Sequence, residues 1–401
     1  MKILFLDQSG QPGGAELCLI EIAKPYRDRC LVGLFSDGPF KQLLEQEQIP
    51  VEVLANRPLQ VRKDSGWITG IKSLGQLLPL VARVVQLSKQ FDVIYANTQK
   101  ALVVGALASF LSQRPLVFHL HDILSAEHFS STNLSLAVTL ANRFASQVFA
   151  TSEAARTAFV EAGGRPEITH VVYNGFDPTQ YECDRIQIEQ VRQQLEFPGK
   201  FLIGHFSRLS PWKGQHILLE ALQRCPENIT TIFVGDALYG EQDYAEMLQK
   251  RVIELGLQER VRFLGFRSDI VPLMCACDAI AHTSIAPEPF GRVVVEAMLC
   301  QRPVIAAQAG GVVELVQLGV VDWLVPPGDP EQLAAVICLY QTQQEWTQTF
   351  AHQARIQSQQ RFHRDVINQQ VAQLLEQVCN RDRHYISYSP HPTPHTQSTR
   401  L

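Results

Sequence analysis

At 401 residues, with 46% hydrophobic and 19% charged side chains, the chain has a globular composition and length enough for two domains, which excludes the disordered and fibrous classes. A net charge of −5 supplies no global basic field for phosphate backbones, so nucleic acid is not an expected partner. Nine scattered cysteines without a C-x-x-C pair, several inside apolar runs, suit a reducing compartment, and the expected location is the cytoplasm.

Met1-Lys-Ile-Leu-Phe-Leu stops at Asp7, too short for a signal-peptide core, and reads as a first strand. The loop Asp7-Gln-Ser-Gly-Gln-Pro-Gly-Gly-Ala-Glu16 follows, ahead of a helix that begins near Ala15. Glycines let a ligand approach the backbone there, and the helix start offers free N–H groups to an anion. The same loop can also serve as a plain chain reversal, since it lacks the Gly-x-Gly-x-x-Gly spacing. Further strands are expected at Leu31–Phe35, Val51–Leu54, Val93–Ala96, Leu116–Leu120 and Gln147–Thr151. Their alternation with helical patterns predicts βαβ units and a parallel sheet.

Between the third and fourth strands, Trp67 to Arg83 is amphipathic. It either lies on the inner face of a membrane, with Arg62, Lys63, Lys72 and Arg83 available, or covers its own sheet. The chain contains no uninterrupted apolar run of about 18 residues, so a spanning helix is not expected. His121 closes the run His119-Leu-His-Asp122 and by itself reads as a structural loop histidine.

Turn chemistry at Asn174-Gly175 and Asp177-Pro178 marks the end of a first domain, residues 1–180, with the linker just after it. A polar segment, Glu182 to Gln194, precedes a second series of strands: Phe201–Phe206, Thr230–Val234, Val261–Leu264, Ala279–His282, Pro303–Ala306 and Trp323–Val325. They define a second domain over 195–358. The expected fold class is therefore α/β, with two doubly wound domains facing one cleft at the carboxyl ends of their strands. The last helix, roughly Arg364 to Cys379, carries an apolar stripe that can pack back on the first domain. The tail 381–401, with His384, His391 and His395, reads as disordered, metal binding being the alternative.

Two segments of the second domain carry chemistry. In Ser207-Arg-Leu-Ser-Pro-Trp-Lys-Gly214, Arg208 and Lys213 follow a strand end, where two cations can neutralise a diphosphate or can be ordinary surface charges. In Thr283-Ser-Ile-Ala-Pro-Glu-Pro-Phe-Gly291, two prolines and a glycine break regular structure ahead of an apolar helix, so the amides of Phe290 and Gly291 are free to donate. Glu288 precedes that helix and can hold sugar hydroxyls. Glu296, flanked by Val295 and Ala297, can accept both hydroxyls of a ribose, and burial obliges it to find partners.

Taken together, Gly13-Gly-Ala-Glu16, His121-Asp122, Asn174-Gly175, Ser207-Arg-Leu209, Lys213-Gly214, Glu288-x₇-Glu296, Gly310-Gly-Val-Val-Glu314 and Leu324-Val-Pro-Pro-Gly-Asp329 resemble the family-four retaining glycosyltransferases, the glycosyl transferases group 1 of GT-B fold. They run in family order across nearly the whole chain. The resemblance implies two facing Rossmann-like domains, with acceptor binding in the first and a nucleotide sugar in the second. It assigns the diphosphate to Arg208 and Lys213, the transferred sugar to Glu288 with the amides of Phe290 and Gly291, and the ribose to Glu296. His121 would contact the sugar near the reacting centre, and Gly13 and Gly14 would close on the donor. Ser207, Cys300-Gln301 and Trp323 depart from the family pattern without removing a needed charge, and Arg292, directly after Gly291, reads as bearing on the donor sugar.

The absence of an Asp-x-Asp and of clustered ligands in the sequence implies catalysis without metal or other cofactor, the two cations replacing a divalent ion. The expected acceptor is a glycan, a lipid-linked glycan or a small molecule. Two rivals share the architecture, a nucleotide-sugar epimerase and a non-catalytic nucleotide-sugar-binding protein.

Overall fold

The computed structural model of the chain describes residues 1–55, 67–126, 129–238, 240–317 and 323–386, the side chains of 67–76, 316–317 and 381–386 excepted. Seven strands form the first sheet: β1 (Ile3–Asp7), β2 (Cys30–Leu34), β3 (Val51–Val53), β4 (Val93–Ala96), β5 (Leu116–Leu120), β6 (Ala145–Ala150) and β7 (Thr169–Val171). Their spatial order is β3-β2-β1-β4-β5-β6-β7. Six form the second: β8 (Phe201–Phe206), β9 (Ile229–Val234), β10 (Val261–Phe263), β11 (Ala279–His282), β12 (Val304–Ala307) and β13 (Trp323–Val325), in the order β10-β9-β8-β11-β12-β13. All their pairings are parallel.

The strands are continuous apolar runs because helices cover both faces of each sheet. Ile3, Leu4, Phe5 and Leu6 of β1 are fully buried. The first sheet packs Leu4, Leu6 and Ile94 on one face and Ile3, Phe5 and Tyr95 on the other. The helix Trp67–Ser88 turns Leu80, Val81, Val84 and Leu87 into the first of these cores, while Arg83 pairs with Glu52 at 2.8 Å. Its described half thus covers its own sheet. Arg62 and Lys63, the side chains of Lys72 and His384, and the tail from 387 with His391 and His395 lie outside the described residues. Among the described residues no helix is long and apolar enough to cross a membrane.

β7 is a strand that periodicity does not predict: three residues, Thr-His-Val, are too few for a pattern. The polar segment after the first domain forms the helix Arg185–Gln194. Asp184 and Gln187 make a capping box at its start, and Val191 anchors it to the second domain. The chain crosses between domains twice, and the crossings pair. Phe176 N–H donates to Phe362 O and Arg364 N–H to Phe176 O, both at 2.8 Å. From there the helix Arg364–Ile386 packs Ile367, Val371, Leu374, Leu375 and Val378 among Leu19, Ile22 and Tyr26 of the first domain.

Candidate active site

In each sheet the strand order reverses once, between β1 and β4 and between β8 and β11. Loops part at these switch points and leave a crevice beyond the carboxyl ends of the strands. Asp7 ends β1 and Asn97 follows β4, whereas Ser207 follows β8 and His282 ends β11. The residues with chemistry to offer gather at these two places.

On the second domain, two loops are locked together. Ile285 N–H donates to Trp212 O at 2.8 Å. Gly214, at φ 69°, lies so close to Thr283 that a Cβ would sit 2.0 Å from its carbonyl oxygen, so a side chain there would separate the loops. Lys213, on the turn just before it, forms an ion pair with Glu288. The same carboxylate oxygen accepts from Ser284 Oγ at 2.6 Å and lies 3.3 Å from His282 Nε2. Burial pushes the Glu288 carboxyl up, but the Lys213 ammonium and His282 together hold it well below the usual carboxylate range.

Trp212 lies between the two cations, with Lys213 Nζ 4.0 Å and the Arg208 guanidinium 5.7 Å from its ring centre. Arg208 also stands 4.0 Å from Glu241. Behind Glu288, Gly311 N–H donates to its carbonyl at 2.7 Å. Gly310, at φ 64°, lies so close that a Cβ would be 2.2 Å from that oxygen. The Gly-Gly pair of the 310–314 motif therefore sets where the Glu288 loop can sit.

Gly291 caps the helix Arg292–Leu299, and Phe290 packs at 5.9, 6.4 and 5.5 Å from the rings of Tyr173, Phe176 and Phe362. Arg292 reaches across to the first domain: a Cβ on Gly14 would lie 3.3 Å from its Cδ. Its guanidinium stacks 4.5 Å from the Phe176 ring and pairs with Glu296 at 3.2 Å. Arg292 and Glu296 line a cavity of about 200 Å³ with Glu21, Lys24, Asp177 and Tyr181. Lys213 and Glu288 do not line it, so the structure places the two carboxylates of Glu288-x₇-Glu296 in different surroundings.

On the first domain, His121 Nε2 lies 2.9 Å from Asn97 Oδ1, and Asn97 Nδ2 donates to Asp7 Oδ2 at 2.7 Å and to Ala15 O at 3.2 Å. Burial, helped by Arg292, pushes the His121 imidazole down to about 3, so it is neutral at physiological pH. Burial pushes Asp7 up to about 6. Burial and the charge of Asp7 push Glu16 up to about 8. Glu16 folds back over the glycine loop, where a Cβ on Gly13 would meet its Oε2 at 2.8 Å.

An acid raised in the folded state holds its proton there after the unfolded chain has lost it. Its contribution to stability is complete below pH 4.5 and is lost as pH rises towards about 8. Glu16→Gln is therefore expected to leave the melting temperature unchanged at pH 4.5 and to raise it by about 2 °C or more at pH 8.5. Differential scanning fluorimetry across that range is the check, and parallel curves for both proteins would contradict the assignment.

The domains are tied directly. Glu314 accepts from the N–H groups of Glu153 and Ala154, at 2.9 and 2.6 Å, at the start of the helix Glu153–Glu161. Tyr173 Oη donates to the same carboxylate at 3.2 Å. A carboxylate at a helix N-terminus is favourably placed, and here it belongs to the opposite domain.

Comparison with known proteins identifies the family and the fold. The family "Glycosyltransferase Family 4" matches residues 12–180, and "Glycosyl transferases group 1" matches residues 187–357. The crystal structure of Anabaena HepE in complex with UDP-glucose is 60% identical, covering 94% of this chain and all of that one, with a TM-score of 0.88. The chain belongs to the group 1 glycosyltransferases. D-inositol 3-phosphate glycosyltransferase 1 of Catenulispora acidiphila is 27% identical over 82% of each chain. 2-Deoxystreptamine glucosyltransferase of Streptomyces kanamyceticus is 28% identical over 67% of this chain and 74% of its own. The two facing parallel sheets are the GT-B architecture of this glycosyltransferase family.

Of the residues expected from sequence, this glycosyltransferase gathers Arg208, Lys213, Glu288, Phe290 and Gly291 on the second domain, and Gly13, Gly14 and His121 on the first. Glu296 stands apart with Arg292. His282 and Ser284 beside Glu288, and Asp7 and Asn97 beside His121, are neighbours that motif reading passed over. Each lies at, or within two positions of, the end of a strand beside a switch point, a signal that becomes readable once the strand order is known.

Proposed function

We propose that the chain is a retaining, metal-independent hexosyltransferase that moves glucose from UDP-glucose to an acceptor hydroxyl in the assembly of a polysaccharide, glycolipid or other glycan. The observation that carries this reading is the Lys213–Glu288 ion pair at the second switch point. It places a cation suited to a diphosphate beside a carboxylate suited to sugar hydroxyls. The UDP-glucose complex of HepE supports the choice of donor.

In this reading the bond from the anomeric carbon to the phosphate oxygen breaks, and its electron pair goes to that oxygen. Arg208 and Lys213 stabilise the charge that develops there, which is where preorganised cations lower a barrier most. The acceptor oxygen bonds to the anomeric carbon on the same face, and its proton passes to the departing phosphate. Glu288 and the amides of Phe290 and Gly291 hold the sugar, with the neutral His121 imidazole beside it. The ribose shares the Glu296 carboxylate with Arg292. No divalent ion is required, because the two cations take its place.

The test is a screen of UDP-, GDP- and ADP-sugars in EDTA, read as released nucleoside diphosphate, with the anomeric configuration of the product determined by NMR. UDP-glucose is expected to give the highest kcat/KM and a retained anomer. Dependence on added Mg²⁺ or Mn²⁺, or an inverted product, would overturn the corresponding part of the reading. Isomerised nucleotide sugar without transfer would favour an epimerase of this architecture. Binding without turnover would favour a nucleotide-sugar receptor.

A further inference from the structure

Cys18, His119 and His121 converge between the first helix and the end of β5. His119 and His121 are two positions apart and so point to the same side of the strand, with ring centres 3.9 Å apart. Cys18 faces them from the helix Gly14–Ala23. One ligand atom from each of the three lies within 4.8 Å of the others.

The hydrogen bonds around this group fix what it can offer. Asn97 Nδ2 donates to both Asp7 and Ala15, so its Oδ1 faces His121 as an acceptor and the hydrogen resides on His121 Nε2. His121 Nδ1 is left with a lone pair. His119 Nδ1 lies 2.7 Å from Tyr95 Oη, while its Nε2 is fully buried and has no hydrogen-bond partner. A buried ring nitrogen without a partner is unusual enough to call for a role. Imidazoles held from outside by a carbonyl oxygen and a hydroxyl, each with a ring nitrogen within 4.8 Å of a thiol sulfur, are arranged as metal ligands are.

We propose that Cys18 Sγ, His119 Nε2 and His121 Nδ1 form a binding site for a thiophilic divalent cation, for which Zn²⁺ is the fitting ion, and that its occupancy inhibits sugar transfer. One sulfur and two imidazole nitrogens suit tetrahedral zinc with water as the fourth ligand, whereas Mg²⁺ and Ca²⁺ require oxygen ligands. Bonds of about 2.0–2.3 Å bring zinc ligands to roughly 3.3–3.8 Å from one another, so side-chain movements of about 1 Å complete the site. Burial pushes the Cys18 thiol up to about 12 despite the nearby Arg292, so the cation has to displace the thiol proton as it binds. Binding commits the His121 Nδ1 lone pair to the metal. The inhibitory half of the proposal rests on the glycosyl-transfer reading, and the binding half does not.

The test titrates Co²⁺ and then Zn²⁺ into the metal-free full chain and into Cys18→Ala, which removes one ligand outside the transfer machinery. The wild type is expected to show a thiolate-to-cobalt charge-transfer band with strong visible bands of tetrahedral Co²⁺, displaced by one equivalent of Zn²⁺. Cys18→Ala is expected to lose the charge-transfer band and to weaken zinc binding by more than about 100-fold. Asn97→Ala, which removes the outer hydrogen bond to His121 together with those to Asp7 and Ala15, should weaken it by about 10-fold. In transfer assays, Zn²⁺ should inhibit the wild type and leave Cys18→Ala active at the same concentration. A cobalt spectrum that is identical in both proteins, or that lacks a thiolate band in the wild type, overturns the site. A cobalt spectrum that depends on Cys18 without inhibition of transfer retains the site and overturns the inhibitory role.

Discussion

Lys213→Ala is expected to lower kcat by about 10³-fold and to weaken UDP binding by about 10- to 100-fold, while circular dichroism reports an unchanged fold. Two separate losses produce this outcome. In catalysis, the ammonium that offsets the charge on the departing diphosphate disappears, and the Trp212 ring beside it offers no cation in its place. In the free protein, Glu288 stays buried beside Ser284 and His282 with its principal counter-charge gone. Breaking one side of such a pair costs roughly 3 kcal/mol.

The sign of the pH dependence separates the two losses. The Glu288 carboxyl lies well below its ordinary value, so the pair's stabilisation is complete above about pH 4.5 and fades as the pH falls through the lowered folded value. The stability gap between wild type and Lys213→Ala should therefore be widest at neutral pH and shrink under strongly acid conditions, as thermal unfolding at both can show. Near-normal turnover by the variant would remove Lys213 from the mechanism, whatever its effect on stability.

The fold was legible because the strands are buried on both faces and so appear as uninterrupted apolar runs. Phe201–Phe206 and Ala279–His282 coincide with the strands read from sequence. β7 escaped because three residues carry no period, and the helix Arg185–Gln194 escaped because it buries little besides Val191. In the candidate site, Arg208, Lys213 and Glu288 stand out in the sequence because turn-forming residues surround charges beside strand ends. The Asp7–Asn97–His121 chain was not, since its members are 90 and 24 positions apart and meet only because β1, β4 and β5 are neighbours. The surroundings of Glu296 were likewise hidden: its spacing from Glu288 does not show that Arg292, one turn earlier on the same helix, pairs with it and lines a cavity with it that Glu288 does not line.

Glu288→Gln is expected to separate sugar handling from nucleotide binding: transfer falls by about 10³-fold, while affinity for UDP stays equal or increases. In the free protein Lys213 and Glu288 neutralise each other, so a donor that engages Lys213 through its diphosphate must first compete with a carboxylate from the same domain. Gln removes that competitor, keeps the side-chain volume, and still accepts a hydrogen bond from Ser284. What it lacks is the anionic acceptor for sugar hydroxyls, whose interaction strengthens as positive charge gathers at the anomeric carbon. Calorimetric titration with UDP and with UDP-glucose, beside steady-state rates, distinguishes the two effects. Loss of UDP affinity in step with turnover would instead make Glu288 a support for the Lys213 loop, and the sugar contact would have to come from elsewhere in the cleft.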